Sequence, residues 1–112
     1  MNIKQVEDLT GISKQNIRFY EKEGLIKPVR NKINGYREYE GEEVRKLKLI
    51  KILRMLDMPL EQISQIIKGT KELTIALTEQ QMELERRMSV MKIMILIKSN
   101  NCVFSKKSIG YV

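Results

Sequence analysis

Lys14, Arg18 and Lys22 recur every fourth residue, so that on a helix they form one cationic row, flanked by Gln15 and Phe19. Side chains of this kind at one-turn intervals suit phosphate: ammonium and guanidinium groups donate charge-assisted hydrogen bonds to its oxygens. The same row also fits a plain solvated face, with Phe19 packed under the next segment, and the helix alone leaves both readings open. Two further groups follow. Arg30, Lys32, Tyr36 and Arg37 fall on a turn-rich stretch, and Lys48, Lys51 and Arg54 step by three along an apolar helix, on a strip from which they could reach a phosphate backbone. From Lys14 to Arg54 there are twelve Lys or Arg against six Asp or Glu, which places six of the chain's seven net positive charges in that span. Such concentration is the electrostatic footprint of a nucleic-acid binder.

Other chemistries lack their residues. The sequence has no His and one cysteine, Cys102, so neither a disulfide within the chain nor a Cys/His metal cluster is expected, and no cofactor. Without His, a glycine-rich phosphate loop or a paired carboxylate site, no enzyme is expected either. The 112 residues, 42% hydrophobic and 31% charged, suit one ordinary globular domain. The longest apolar run, Met91 to Ile97, is seven residues broken by Lys92. A membrane span needs about 20. A soluble, cytoplasmic protein with no membrane partner is the expectation.

These side chains need elements to position them. Ile3, Val6 and Leu9 recur at helical spacing, "TGIS" interrupts with a glycine, and Ser13 can cap a second helix running to Glu23, with Ile17 and Tyr20 on its inner side. Two short helices joined by a glycine turn outline a helix-turn-helix, whose second helix usually enters the major groove. Gly24 and Pro28 end that helix. "KPVRNKINGYREY" reads as a hairpin turning at Asn34-Gly35, with Tyr36 and Glu38 on one face and Arg37 and Tyr39 on the other. Its cations Arg30, Lys32 and Arg37 would project from the ribbon. Glu42 to Asp57 forms a third helix whose Leu47, Leu49, Ile50, Ile52, Leu53 and Leu56 cover over half its circumference and centre the core. Asp57-Met58-Pro59 breaks it, and "LEQISQIIKG" gives a short fourth helix ending at Gly69.

Lys71 to Lys98 contains neither Pro nor Gly. Leu77, Leu84 and Met91 take one heptad position and Thr74, Gln81, Met88 and Ile95 the other. A seam so narrow needs a partner helix. The simplest partner is a second copy, giving a homodimer that presents two reading units to a palindrome; a helix folded back on its own domain is the other reading. "MKIMILIK" is apolar nearly all round, more than a two-helix seam buries, and suggests further packing on the partner's DNA-binding unit.

Taken together, "NIKQVEDLTGISKQNIRFYEKEGLIKP", "NGYREY" and "LIKILRMLDMPLEQI" resemble the MerR (mercury-resistance regulator) family of bacterial transcription regulators. The resemblance implies a mainly α fold: a winged helix-turn-helix with a small β-hairpin wing, then a long dimerisation helix forming an antiparallel coiled coil. Residues 1–70 would be the DNA-binding domain, 71–98 the dimerisation helix, and 99–112 a tail with no effector domain. Positions matching the family's DNA contacts are Arg18, Phe19, Tyr20, Tyr36, Arg37 and Arg54; Tyr20 joins from the resemblance, against its inward placement on the helix. With the basic side chains above, the candidate DNA-binding set is Lys14, Gln15, Arg18, Phe19, Tyr20, Arg30, Lys32, Tyr36, Arg37, Lys51 and Arg54. Leu77, Leu84, Met88, Met91 and Ile95 form the candidate dimer seam.

The implied function is sequence-specific regulation of transcription: a dimer binds a palindromic promoter operator in double-stranded DNA and distorts it, acting on RNA polymerase indirectly. An architectural or chromosome-organising DNA-binding protein is the alternative. Two departures from the family stand out. Glu40 and Gly41 occupy positions where a Ser, Thr or Asp cap is common, so the third helix should start less firmly. Metal-sensing members carry cysteines at both ends of an effector region, whereas here Lys71 to Glu79 has none and only Cys102 lies beyond; an unreactive tail thiol is the default, with a metal or redox role as lesser readings.

Overall fold

The computed structural model describes residues 1–100; Cys102 and nearly all of the expected tail lie outside them. Five helices and one hairpin follow in order: α1 (Ile3–Thr10), α2 (Lys14–Lys22), β1 (Val29–Arg30), β2 (Arg37–Glu38), α3 (Gly41–Met55), α4 (Leu60–Ile67) and α5 (Leu73–Ser99). The chain is thus mainly helical, with a small hairpin and a long C-terminal helix. It divides into two compact units, Met1–Ala76 and a second beginning at Leu77.

Local chemistry explains the boundaries. Asn2 Oδ1 accepts from the Gln5 amide at 2.8 Å while Gln5 Oε1 accepts from the Asn2 amide at 2.9 Å, a reciprocal capping box that satisfies donors at the start of α1. Gly11, at φ 71°, closes α1 in the left-handed region and donates to the Glu7 carbonyl at 2.9 Å. Two caps start α2: Ser13 Oγ accepts from the Asn16 amide at 3.2 Å, and Glu7 Oε2 from the Lys14 amide at 3.0 Å. At the start of α3, as the sequence suggested, Glu40 makes no side-chain cap. Its place is supplied electrostatically by Glu42 and Glu43 in the first turn. The break after α3 runs through Asp57, the one described non-glycine residue at positive φ (59°), and Arg54 Nη1 donates to the Met58 carbonyl across it at 3.1 Å.

The core of the first unit gathers Val6, Ile17, Leu25, Ile26, Tyr39, Leu47, Ile50, Leu53, Met58 and Ile63, none more than 1% exposed. At about 1.5–3 kcal/mol per fully buried large apolar side chain, this cluster is the main force holding helix-turn-helix, wing and α3–α4 together. Glu43 is buried beside it, its carboxylate accepting from the Lys27 amide at 3.1 Å and so tying α3 to the loop that follows α2.

Several expectations need correcting. Of the apolar side chains on α3 only the stripe Val44, Leu47, Ile50 and Leu53 is buried; Ile52 is 56% exposed and Leu56, just past its end, 37%, because a helix against one core buries a single stripe. The hairpin is not a two-residue turn on Asn34-Gly35. Arg30 pairs with Arg37, leaving six residues between the strands. Asn31 organises that longer loop, its Oδ1 accepting from the Ile33 and Asn34 amides (2.8 and 3.3 Å) and its carbonyl from the Gly35 amide at 2.8 Å. Gly35 still takes the positive φ, 72°, that the sequence marks.

The long helix α5 spans 27 residues. Met88, Val90, Met91, Ile93, Met94, Ile95, Leu96 and Ile97 are all exposed on it. Its polar turn is braced by Glu83, which accepts from Arg86 (2.7 Å) and Arg87 (3.1 Å), holding the Glu83 carboxyl down at a pKa of about 2.

Candidate nucleic-acid interface

Helix α2 is fixed along one side and at its start before it presents anything. Ile17 and Tyr20 are buried, and Lys14 and Glu21 are half-buried on the same side. The turn into it is stapled: Thr10 Oγ1 donates to the Val6 carbonyl (2.7 Å) and accepts from the Ile12 amide (3.2 Å), while Lys51 Nζ reaches from α3 to the Thr10 carbonyl at 2.8 Å. A lysine bound to a terminal carbonyl of α1 compensates the negative end of that helix. Gln15, Asn16, Arg18, Phe19 and Lys22 are left exposed. Phe19 is 43% exposed with its ring tilted against Tyr20, centroids 5.7 Å apart, so it is not packed under the following segment.

A cleft lies on either flank of this exposed face. On the Arg18 flank, a cleft of about 320 Å³ is lined by Asn2, Ile3, Arg18, Arg30, Gly35, Tyr36 and Arg37. On the opposite flank, one of about 420 Å³ is lined by Gly11, Ile12, Ser13, Asn16, Tyr20, Lys51, Arg54 and Met55. By helical periodicity Asn16 and Tyr20 lie on the far side of α2 from Arg18, with Gln15, Phe19 and Lys22 between. One exposed helical face is therefore bracketed by arginines from the wing on one side and by Lys51 and Arg54 from α3 on the other.

The two cationic rims are held differently. Arg30 Nη1 donates to the Gly35 carbonyl at 3.2 Å, bracing the wing loop, and Lys32, Tyr36 (74% exposed) and Ile33 (96%) stand out from it. Arg37 does not project with them, correcting the sequence expectation. It shares a face with buried Tyr39 and turns back on α2, its Nε 2.6 Å from Glu21 Oε1. Beneath it the Tyr39 hydroxyl is buried with no hydrogen-bond partner. Burial raises the phenol's pKa above 10.0 and the Glu21 carboxylate adds to this, against the opposing pull of Arg37, Arg18 and Arg30. Three guanidinium groups thus converge within electrostatic range of one phenol.

Of the candidate DNA-binding residues, Arg18, Arg30, Tyr36 and Arg37 come together in the wing cleft and Tyr20, Lys51 and Arg54 in the other. Gln15 and Phe19 sit on the face between them. Lys32 is exposed on the wing loop and Lys14 is half-buried at the start of α2. Sequence reasoning missed Glu21, Asn31 and Glu7. Asn31 carried a usable signal, an Asn opening a turn, whereas the two glutamates act through partners 16 and 7 residues away that no local pattern reveals.

Residues 1–70 match the model of the MerR HTH family regulatory protein. Over 67 residues the chain is 36% identical to the HTH-type transcriptional regulator CueR of Escherichia coli, covering 60% of this chain and 50% of that one. Over 99 residues it is 30% identical to the HTH-type transcriptional regulator HmrR of Sinorhizobium medicae, covering 82% and 67%. The chain spans about half the length of most of the curated relatives it matches. In fold it is similar to HiNmlR, a MerR family regulator lacking the sensor domain and bound to promoter DNA, with a TM-score of 0.63, 22% identity, and 98% of this chain and 90% of that one covered. With its first 70 residues matched and its architecture shared, the chain belongs to the MerR family.

Proposed function

We propose that this chain is a sequence-specific DNA-binding transcription regulator that engages a palindromic promoter operator as a homodimer. The observation that carries the reading is the exposed face of α2 bracketed by two cationic clefts. A helix presented between two sets of phosphate-binding side chains suits insertion into a major groove, with the flanking backbones held on either side. Arg18, Arg30, Tyr36 and Arg37 would grip one stretch of backbone and Lys51 and Arg54 another, while Gln15 and Phe19 meet base edges. Residues 1–70 act as the DNA-binding domain and 71–98 as the dimerisation helix, pairing antiparallel with its copy through Leu77, Leu84, Met88, Met91 and Ile95. The exposed apolar side chains of α5 support this, because a helix of this length gains its stability by burying them.

Two clamped ends allow the duplex between them to be bent and untwisted, at a cost of a few kcal/mol by elastic estimates. In this reading the chain acts on RNA polymerase only through the shape it gives the promoter, in the cytoplasm where that DNA lies. The test is selection from a pool of random-sequence duplexes, followed by gel shift of the enriched duplex. A single inverted repeat bound by the wild type and weakened in Arg18→Ala is the expected result. Uniform affinity for every duplex would favour the architectural alternative.

A further inference from the structure

The contact between Arg37 and Glu21 is built in a way that binding alone does not explain. Arg37 lines the wing cleft, whereas Glu21, bonded to its Nε, is not among the lining residues. The pair joins the recognition helix to the wing across 16 residues of sequence, at 2.6 Å, with the Arg37 and Glu21 side chains only 30% and 25% exposed. Only Nε of Arg37 is bonded among the described residues; a fork-to-fork pair would have used a terminal nitrogen as well. Its two terminal nitrogens make no hydrogen bond among the described residues, and Arg37 lines the cleft beside Arg18, Arg30 and Tyr36.

A carboxylate close to DNA repels phosphate, so its presence here calls for a compensating role. Arginine loses much rotamer freedom when it binds, and fixing its Nε beforehand removes part of that loss. We propose that Glu21 is a positioning residue: it holds Arg37 so that its terminal nitrogens face one backbone phosphate, and by linking α2 to the wing it makes that contact depend on correct seating of α2. This rests on the reading that the cleft meets DNA. Glu21 then trades total affinity for specificity. Its anionic charge weakens attachment to any duplex, and its geometry strengthens attachment to the one duplex that α2 fits.

Simple electrostatics and positioning predict opposite signs. Removing a negative charge near phosphate tightens binding to all duplexes, whereas removing a positioning group weakens the specific complex alone. The experiment uses the full chain, the duplex enriched by the wild type from a random pool, and an unrelated duplex of equal length. Glu21→Ala is expected to lower affinity for the enriched duplex about tenfold, the scale of one phosphate-binding arginine, while leaving the unrelated duplex bound as well as before or better. In an Arg37→Ala background the same substitution should cost the enriched duplex nothing further, a coupling that a merely structural role would not produce. Glu21→Gln keeps the shape and the Oε1 acceptor, so it should recover most of the specific affinity; it also carries the test if Glu21→Ala does not fold. Tighter binding to both duplexes, or an equal loss with and without Arg37, overturns the proposal. A wild type that enriches no sequence overturns the proposed function itself, a separate outcome.

Discussion

The first unit and the long helix use apolar residues in opposite ways. In Met1–Ala76, side chains from α1, α2, α3, α4 and the segments between them, Tyr39 just past β2 included, converge until ten large ones are essentially sealed from water. From Met88 to Ile97, comparable side chains lie open to solvent around the helix. The first unit therefore contains what it needs to fold, as small domains of about this size can. Helix α5 does not, since isolated helices in water are marginal and gain stability from tertiary or intermolecular packing. In the proposed dimer, recognition would thus be built into each protomer, and the arrangement of the two recognition units would depend on association.

Breaking association should give the largest effect. Leu84→Glu combined with Met91→Glu puts charge on two seam positions one heptad apart, and light scattering should then report a monomer. Affinity for the selected palindrome should fall about 100-fold or more, because the second half-site is no longer reached at high effective concentration. An unchanged mass would place the dimer contact elsewhere. Breaking the first unit instead should leave association intact and cost folding: Leu47→Ala, in a fully buried site, is expected to lose about 3 kcal/mol in denaturant titration.

The contrast also explains what the sequence disclosed. Helix order, the glycine stop at Gly11, the Ser13 cap and the inner placement of Ile17 and Tyr20 were legible because each depends on neighbours within about one helical turn. The breadth of α3 was misjudged for a related reason: periodicity shows Ile52 and Leu56 to be apolar but not that one core can cover only one stripe. The wing failed at its turn, since Asn-Gly is a strong local signal that the Asn31 side chain overrides by organising a six-residue loop. Within the candidate site, residue types were legible and allegiances were not. Arg37 and Lys51 looked alike as free cations, yet one is bound to Glu21 and the other to the Thr10 carbonyl.

A smaller effect separates the charged rim from the core beneath it. Arg18→Ala should cost about 1–2 kcal/mol of operator affinity and reduce the dependence of binding on salt by about one phosphate, without changing the denaturation midpoint. A lowered midpoint would mean that Arg18 holds the fold as well as DNA.

The smallest expected effect probes a polar flaw in the sealed unit. The Tyr39 hydroxyl is buried without a partner, so it has given up water and gained nothing in exchange. Tyr39→Phe removes that group while keeping the ring that fills the core, and at neutral pH stability should be unchanged or higher by about 0.5–1 kcal/mol. The alkaline side gives the sharper reading. The phenol's pKa is raised in the folded chain, by burial first and by Glu21 second, whereas in the unfolded chain it is 10.0. Folding thus favours the protonated phenol, so this contribution is fully present below pH 10 and is lost as pH rises through the higher folded value. The Phe variant has no such proton to lose, and its stability should decline less steeply above pH 10 than that of the wild type. Parallel decline of the two would mean that water reaches the hydroxyl, and that the core of the first unit is less completely closed on the wing side than its packing implies.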